Sequence, residues 1–440
     1  MVTLKKYQNK KIAIYGMGIT GFSAAHVFKR SKAKIYCWDD NEKVRKKAKS
    51  SNFNIEKFWL NKISIEKIII SPGIDINKCK IKNYLKKNAD KIITDLDLFF
   101  ELNKDSLIIS ITGTNGKSTT CKLIEKILKN ANLNVKTVGN IGNPILLSGK
   151  IKKKTIFVLE ASSYQLEYSK LFRSKYAAIL NISPDHLERH KSIKNYIKIK
   201  SKIFYGQKSS DYSYINVNNK YSKVIKKIFK KKKLKSKLIS VNSYKYNFLL
   251  KKIRNKYFKG EGNIQNLIFA YNIAKKLKIK DDVIIKSLNE FKGLSHRQEI
   301  IFSNKKLLCI NDSKATSFDA SLQCLLNYNK IYWIVGGLPK YQDYFDLKKV
   351  KKKIIKAYII GKHTLFFRNK IKNHVVYKIS GNIKKALQDI SNDLTFNQNI
   401  KKTIVFSPAA ASFDQFKNFE SRGIFFKNLI NKKFKRRLNV

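Results

Sequence analysis

A chain of 440 residues with 43% hydrophobic content exceeds what one core usually serves, so two or three globular domains are expected. No apolar run reaches the roughly 18 residues that span a bilayer, the opening residues lack the apolar segment and cleavage site of a secretory leader, and five scattered cysteines without a CxxC pair speak against a disulfide framework. The net charge of +63 raises nucleic acid as a partner, yet the lysines run through the whole chain beside abundant Ile and Asn, so compositional bias is the reading and only small anions are expected to be drawn in.

The first segment alternates strands and helices. "KIAIY" (11–15) reads as a strand running into "GMGITG", followed by a helix from about Thr20 to Arg30 and the strand "KIYCW" (34–38). "KIIIS" (67–71) is another buried strand, and this small doubly wound unit closes near residue 95. A second unit opens with "SLIISIT" (106–112), a glycine loop and a helix to about Asn130. Its further strands are "TIFVLEAS" (155–162), "AAILNI" (177–182) and "YSYINV" (212–217). The Lys-rich stretch 220–236 predicts a solvated helix or loop, and helical patterns follow at 263–277 and 281–291. A third unit follows "GLSHR" (293–297), with strands "KLLCIND" (306–312), "IYWIVGG" (331–337), "AYIIG" (357–361) and "TIVFSP" (403–408). The fold class is therefore α/β, three domains in series. Each cysteine (Cys37, Cys79, Cys121, Cys309, Cys324) sits in or beside an apolar run and is expected to be a buried thiol in a reducing cytoplasm.

Two loops carry phosphate-binding chemistry. Gly16-Met17-Gly18-Ile19-Thr20-Gly21 stands between a strand and a helix, with Asp39 and Asp40 near the end of the next strand. The spacing fits an NAD site, a UDP-sugar site or a tight turn, and does not choose among them. "TGTNGKSTT" (112–120) says more. Backbone N–H groups and the helix N-terminus would hold phosphate oxygens, Lys117 would reach the β/γ-phosphates, and Ser118 would offer a hydroxyl to Mg²⁺. Only two residues separate Gly113 from Gly116, a shorter loop than the usual pattern, but none of those parts is lost. Glu160 and His186 follow at the ends of two other strands. One carboxylate and one imidazole suit a divalent metal shared with nucleotide phosphates. His190 lacks such placement and is expected at the surface.

With these pieces in order, the chain resembles the Mur ligase family. The resemblance runs through "GMGITGFSAA", "SPGID", "ITGTNGKSTT", "GNIGNP", "LEASSYQLE", "NISPDHLERH", "GLSHRQE", "INDSKATS" and "SPAAASFDQFKNFESRG", and so covers essentially the whole sequence. "DSKAT" and "SPAAASFDQFKNF" single out the branch that uses D-glutamate. The short phosphate loop is that family's own variant.

The resemblance implies an N-terminal Rossmann-like UDP-binding domain (1–95), a central P-loop ATPase-type domain (96–298) and a C-terminal Rossmann-like domain that brings the amino acid (299–440). The expected reaction joins D-glutamate to UDP-N-acetylmuramoyl-L-alanine with ATP, through an acyl phosphate. By resemblance, Gly18, Ile19, Thr20, Asp39, Ser71, Gly73 and Asn140 meet the UDP substrate. ATP falls to the loop Gly113, Thr114, Asn115, Gly116, Lys117, Ser118 and Thr119, with Asn263, Asn266, Arg297 and Asp312. The family usually has His where this chain has Gly262, so one adenine contact departs from its pattern. Ser118, Glu160, His186 and Lys200 would serve Mg²⁺, two ions in number, with Mn²⁺ as an alternative. Lys200 falls where the family has a carbamylated lysine, although Lys198 and Lys202 are near. Lys314, Thr316, Lys340, Ser412 and Phe419 match positions around D-glutamate. A cytoplasmic monomer is implied. The alternatives are another ligase of the superfamily, a nucleotide-binding protein without activity, an NAD dehydrogenase, and a nucleic-acid binder.

Overall fold

The computed structural model describes residues 4–60, 63–139, 145–147, 154–258, 260–340, 343–394 and 400–433. Three sheets carry the chain. The first holds β1 (Lys11–Tyr15), β2 (Lys34–Trp38), β3 (Lys67–Ile70) and β4 (Ile92–Ile93), in the order β2-β1-β3-β4 and parallel throughout. The second holds β5 (Leu107–Thr112), β6 (Val135–Gly139), β7 (Ile156–Glu160), β8 (Tyr176–Ile179), β9 (Tyr212–Asn216) and β10 (Lys237–Val241), again all parallel, in the order β10-β9-β8-β5-β7-β6.

The third runs β11-β12-β16-β13-β14-β15. Its strands are β11 (Glu299–Ser303), β12 (Leu307–Asn311), β13 (Ile331–Gly336), β14 (Ile354–Ile360), β15 (Tyr377–Gly381) and β16 (Lys402–Phe406), and β11 alone is antiparallel, to β12. Central strands such as β5 ("LIISIT") and β13 ("IYWIVG") are buried on both faces, which is why they read as continuous apolar runs.

By contact, the chain forms two compact units. The first comprises residues 1–255 and 264–291, the second residues 256–263 and 292–440. Within the first unit one apolar core runs through both sheets, from Ile12, Phe28 and Ile69 to Phe157, Leu159 and Ile179. The expected boundary near residue 95 falls at the start of the helix Asp95–Leu102, whose Thr94 and Asp97 form a reciprocal N-terminal cap. Asp97 Oδ1 also accepts from Ser169 Oγ and from the N–H groups of Lys170, Leu171 and Phe172, which ties this helix to the second sheet. In the second unit Trp333 is fully buried and donates its indole N–H to Ser407 O (2.8 Å).

Two sequence expectations change. His190 is not at the surface: it is 0% exposed, because the short helix Leu187–His190 turns its ring inward. Cys37, Cys121, Cys309 and Cys324 are buried thiols as expected, whereas Cys79 is half-buried beside a loop. Among the described residues no helix is long and apolar enough to cross a membrane.

Candidate active site

The loop from β5 into the helix Lys117–Asn130 needs its glycines. Gly113 (φ +155°) and Gly116 (φ +84°) take backbone conformations that side chains rarely adopt, and a Cβ at 116 would lie 2.1 Å from Asn266 Oδ1. The loop is braced from the β8 end. Thr114 N–H donates to Asn181 O (3.0 Å) and Asn115 N–H to Asn181 Oδ1 (2.9 Å), while Asn181 Nδ2 donates back to Asn115 O (3.2 Å). Lys117 folds over the loop, its Nζ donating to Gly113 O (2.9 Å) and Thr114 O (2.8 Å). Thr119 is buried in the first turn of the helix.

Ser118 Oγ donates to Glu160 Oε2 (2.6 Å) at the end of β7, and both residues are buried. Lys200 is 1% exposed on the helix Ile193–Ser201, with Nζ donating to Gly113 O (2.8 Å) and Thr112 Oγ1 (3.3 Å). Burial, and then the charge of Lys117, push this amine well below the ordinary lysine range. Lys198 is exposed and Lys202 half-buried, so Lys200 is the lysine of the three that faces the loop. His186 has a left-handed backbone (φ 55°), and its Nδ1 lies 3.0 Å from Tyr164 OH.

Of these groups, Lys117, Lys200, His186 and Tyr164 border a cavity of about 780 Å³. Gly16, Gly18, Ile19, Thr20, Asp39, Ser71 and Gly73 line one side, and Lys117, His186 and Lys200 line it as well. Asp39 braces the first glycine loop, Oδ2 accepting from Met17 N–H (2.7 Å) and Oδ1 from Asn41 N–H (2.8 Å). Ser71 Oγ donates to Gly16 O (2.5 Å). Asn140 lies outside the described residues.

Asp95, Ser163, Tyr164, Gln165, Asp185 and Tyr196 also line the cavity and were not singled out from sequence. Asp95 is buried, accepts from Gln165 Nε2 (2.9 Å), and is raised by burial to about 6. Burial lowers His190 to about 4. The short motif "SSYQLE", directly after the acidic end of β7, was the one signal that could have drawn attention to Ser163, Tyr164 and Gln165.

The residues fit a magnesium ion shared with phosphates. No group of three His, Cys, Asp or Glu side chains able to hold a metal occurs among the described residues. One buried carboxylate and one hydroxyl are what Mg²⁺ takes when phosphate oxygens and water complete its shell.

In the second unit, Asn263 Nδ2 donates to Tyr257 O (3.0 Å). A Cβ on Gly262 would meet only Gln323 Oε1, at 3.5 Å, so packing does not force the glycine there. Asp312 accepts from Ser407 Oγ (2.7 Å) and from Gln298 N–H (3.1 Å), and burial raises it to about 7; Arg297, the residue before Gln298, pulls the other way. Lys314 Nζ stands 3.6 Å from the centre of the Phe419 ring. Ser412 is buried, Thr316 and Lys340 are half-buried. Asn266, in the first unit, is buried and accepts from Thr120 Oγ1 (3.2 Å).

Two family models match the chain: Mur ligase middle domain over residues 111–280, and Mur ligase MurD-like, N-terminal domain, over residues 10–93. Among similar proteins, the UDP-N-acetylmuramoylalanine--D-glutamate ligase of Rickettsia bellii (strain RML369-C) is 35% identical, with 98% of this chain and 99% of the relative aligned. The same-named ligase of Caulobacter vibrioides (strain NA1000 / CB15N) is 31% identical over 98% of each chain. Among solved structures, the MurF ligase from Thermotoga maritima in complex with ADP superposes with a TM-score of 0.58 at 13% identity, covering 99% of this chain and 98% of its own. UDP-N-acetylmuramate-alanine ligase from the same organism gives 0.54 at 14% identity, with 97% and 99% covered. At such identities the solved structures speak to fold alone.

Proposed function

The chain belongs to the Mur ligase family, and from that premise we propose that it joins D-glutamate to UDP-N-acetylmuramoyl-L-alanine with cleavage of ATP to ADP and phosphate, in peptidoglycan precursor synthesis. The observation that carries the reading is the shared cavity, which the first glycine loop borders together with Lys117, the lysine that follows the phosphate loop, and with His186 and Lys200. A nucleotide-sugar held by the first glycine loop would present its carboxylate to ATP held by the phosphate loop. The carboxylate attacks the γ-phosphorus, ADP leaves, and an acyl phosphate results. The amine of D-glutamate then attacks the acyl carbon, phosphate leaves, and the ammonium formed on nitrogen loses a proton.

Two anions must meet in the first step, so positive charge has to stand between them. Lys117 supplies it from the protein. Mg²⁺, held by Ser118 and Glu160 with His186 and Lys200 nearby, would neutralise phosphate charge when bound. We assign Lys200 as the carbamylated residue. Carbamate forms from CO₂ and a neutral amine with release of a proton, and the depressed basicity of this buried lysine favours the neutral form. Arg297 and Asp312 are assigned to ATP, and Lys314, Thr316, Lys340, Ser412 and Phe419 to D-glutamate, whose two carboxylates need cations and hydroxyls. Three functional domains, 1–95, 96–298 and 299–440, a monomeric state and a cytoplasmic site of action belong to the same proposal.

The test is phosphate release from purified protein across a panel of amino acids. Release should require ATP, UDP-N-acetylmuramoyl-L-alanine and D-glutamate together, with L-glutamate a poor substitute. Equal turnover with L-alanine, or none with D-glutamate, overturns the reading.

A further inference from the structure

His190 lies behind the cavity wall with no solvent access, which is unusual for a residue that no expected step uses. Its ring is stacked at a tilt between Tyr164 (centroids 5.6 Å apart) and Tyr196 (5.4 Å), both of which line the cavity. Nε2 is 3.0 Å from Ser163 Oγ, itself buried and lining the same cavity. Nδ1 is buried without a hydrogen-bond partner, and the nearby carboxylate, Glu167 Oε1, is 3.9 Å away.

That carboxylate, which Arg189 pairs through its other oxygen (2.7 Å), still favours one tautomer. A lone pair on Nδ1 would face a negative oxygen, whereas an N–H there is attracted to it. With the proton on Nδ1, Nε2 accepts the Ser163 hydroxyl proton. The serine oxygen is then left with lone pairs alone for whatever occupies the cavity. We propose that His190 is a positioning residue that makes Ser163 Oγ a hydrogen-bond acceptor for an amide N–H of the acyl-substrate arm. Ser163 lines the cavity together with Lys117 and His186, the residues assigned to the phosphate side of the reaction. The inference rests on the proposed nucleotide-sugar substrate and adds the atom that holds its peptide portion.

The experiment measures phosphate release at varied UDP-N-acetylmuramoyl-L-alanine for wild type, His190→Phe, His190→Gln, Ser163→Ala and the double variant His190→Phe/Ser163→Ala. Losing one such hydrogen bond should raise KM for this substrate roughly tenfold in His190→Phe and in Ser163→Ala, with kcat within about threefold. KM for ATP should not move. His190→Gln, whose amide oxygen can accept the serine proton, should recover most of the loss, and the double variant should be no worse than either single. Additive losses, an equal rise in KM for ATP, or an unchanged KM in Ser163→Ala would overturn the inference. Should His190→Phe fail to fold, Ser163→Ala and His190→Gln still decide it. A wild type that turns over no UDP-N-acetylmuramoyl-L-alanine would defeat the functional reading instead, and equilibrium binding of that nucleotide to Ser163→Ala and wild type would then test the contact alone, equal affinities counting against it.

Discussion

Lys117 and Lys200 are both lysines beside one loop, and the proposed function gives them opposite tasks. Lys117 is held across the loop by two backbone carbonyls, and in the proposed reaction its ammonium would face the phosphoryl group. Lys117→Ala should lower turnover on the order of 10²–10³-fold in a phosphate-release assay with the thermal midpoint little changed, because those bonds help shape the loop but carry no core packing. More than about a tenth of wild-type activity would contradict its role. Lys200 is buried and electrostatically discouraged from carrying a proton. Lys200→Ala should be nearly inactive, and a small carboxylic acid in the medium should restore part of the activity by filling the vacated oxygen site. Lys198→Ala and Lys202→Ala should show no such rescue; identical behaviour of all three would place the carbamate elsewhere.

Asp95 gives a pH signature at the same scale. Its folded value of about 6 lies above the ordinary carboxyl value of 3.8, so the fold favours the protonated form. Stability from this group is complete below about pH 4 and is lost as pH rises through 6. Asp95→Asn should therefore gain on the wild type between pH 4 and pH 6, by on the order of 2–3 kcal/mol, and the gap should stay level above that. Denaturant unfolding at pH 4, 5, 6 and 7 measures it, and a gap that is constant from pH 4 upward would be the contrary result.

At the scale of elements, the strands that carry the site were legible because they are central. β5, β7, β8, β13 and β16 are buried on both faces and stand out as apolar runs, and the site residues follow from their ends. The strands missed in sequence lie at sheet edges or are very short: β4 has two residues, while β6 ("VKTVG"), β10 ("KLISV"), β11 ("EIIFS") and β15 ("YKISG") are edge strands of mixed burial that carry polar residues. His190 was misplaced because its partners, Ser163 and Tyr164, arrive from a helix distant in sequence, and no local pattern encodes that meeting.

The phosphate loop makes a prediction of its own. Gly116→Ala must accept a left-handed backbone, costing about 1 kcal/mol, and must also displace Asn266. It should lower the thermal midpoint by several degrees and cut activity. Asn266→Ala vacates the clash, so the two substitutions together should cost less stability than the sum of each alone. Strict additivity in paired melts would show that Asn266 does not press on the loop.

For the whole molecule, the dominant feature is charge: 93 basic against 30 acidic residues, spread over all three sheets and their helices. The lysines run along the whole sequence rather than forming one arm, and every proposed substrate is an anion. The summed field should therefore speed encounter with UDP-N-acetylmuramoyl-L-alanine and ATP while leaving the chemical steps, which occur inside the cavity, untouched. Salt shortens the reach of that field, to about 10 Å at 0.1 M and about 3 Å at 1 M. Raising KCl from about 50 to 400 mM should then lower kcat/KM for the nucleotide substrates several-fold, with kcat nearly constant. An uncharged osmolyte at matched osmolality should have no such effect, which separates screening from solvent effects. If kcat falls in step with kcat/KM, salt is acting on the folded site; if neither changes, the excess charge has no part in substrate capture and is compositional drift alone.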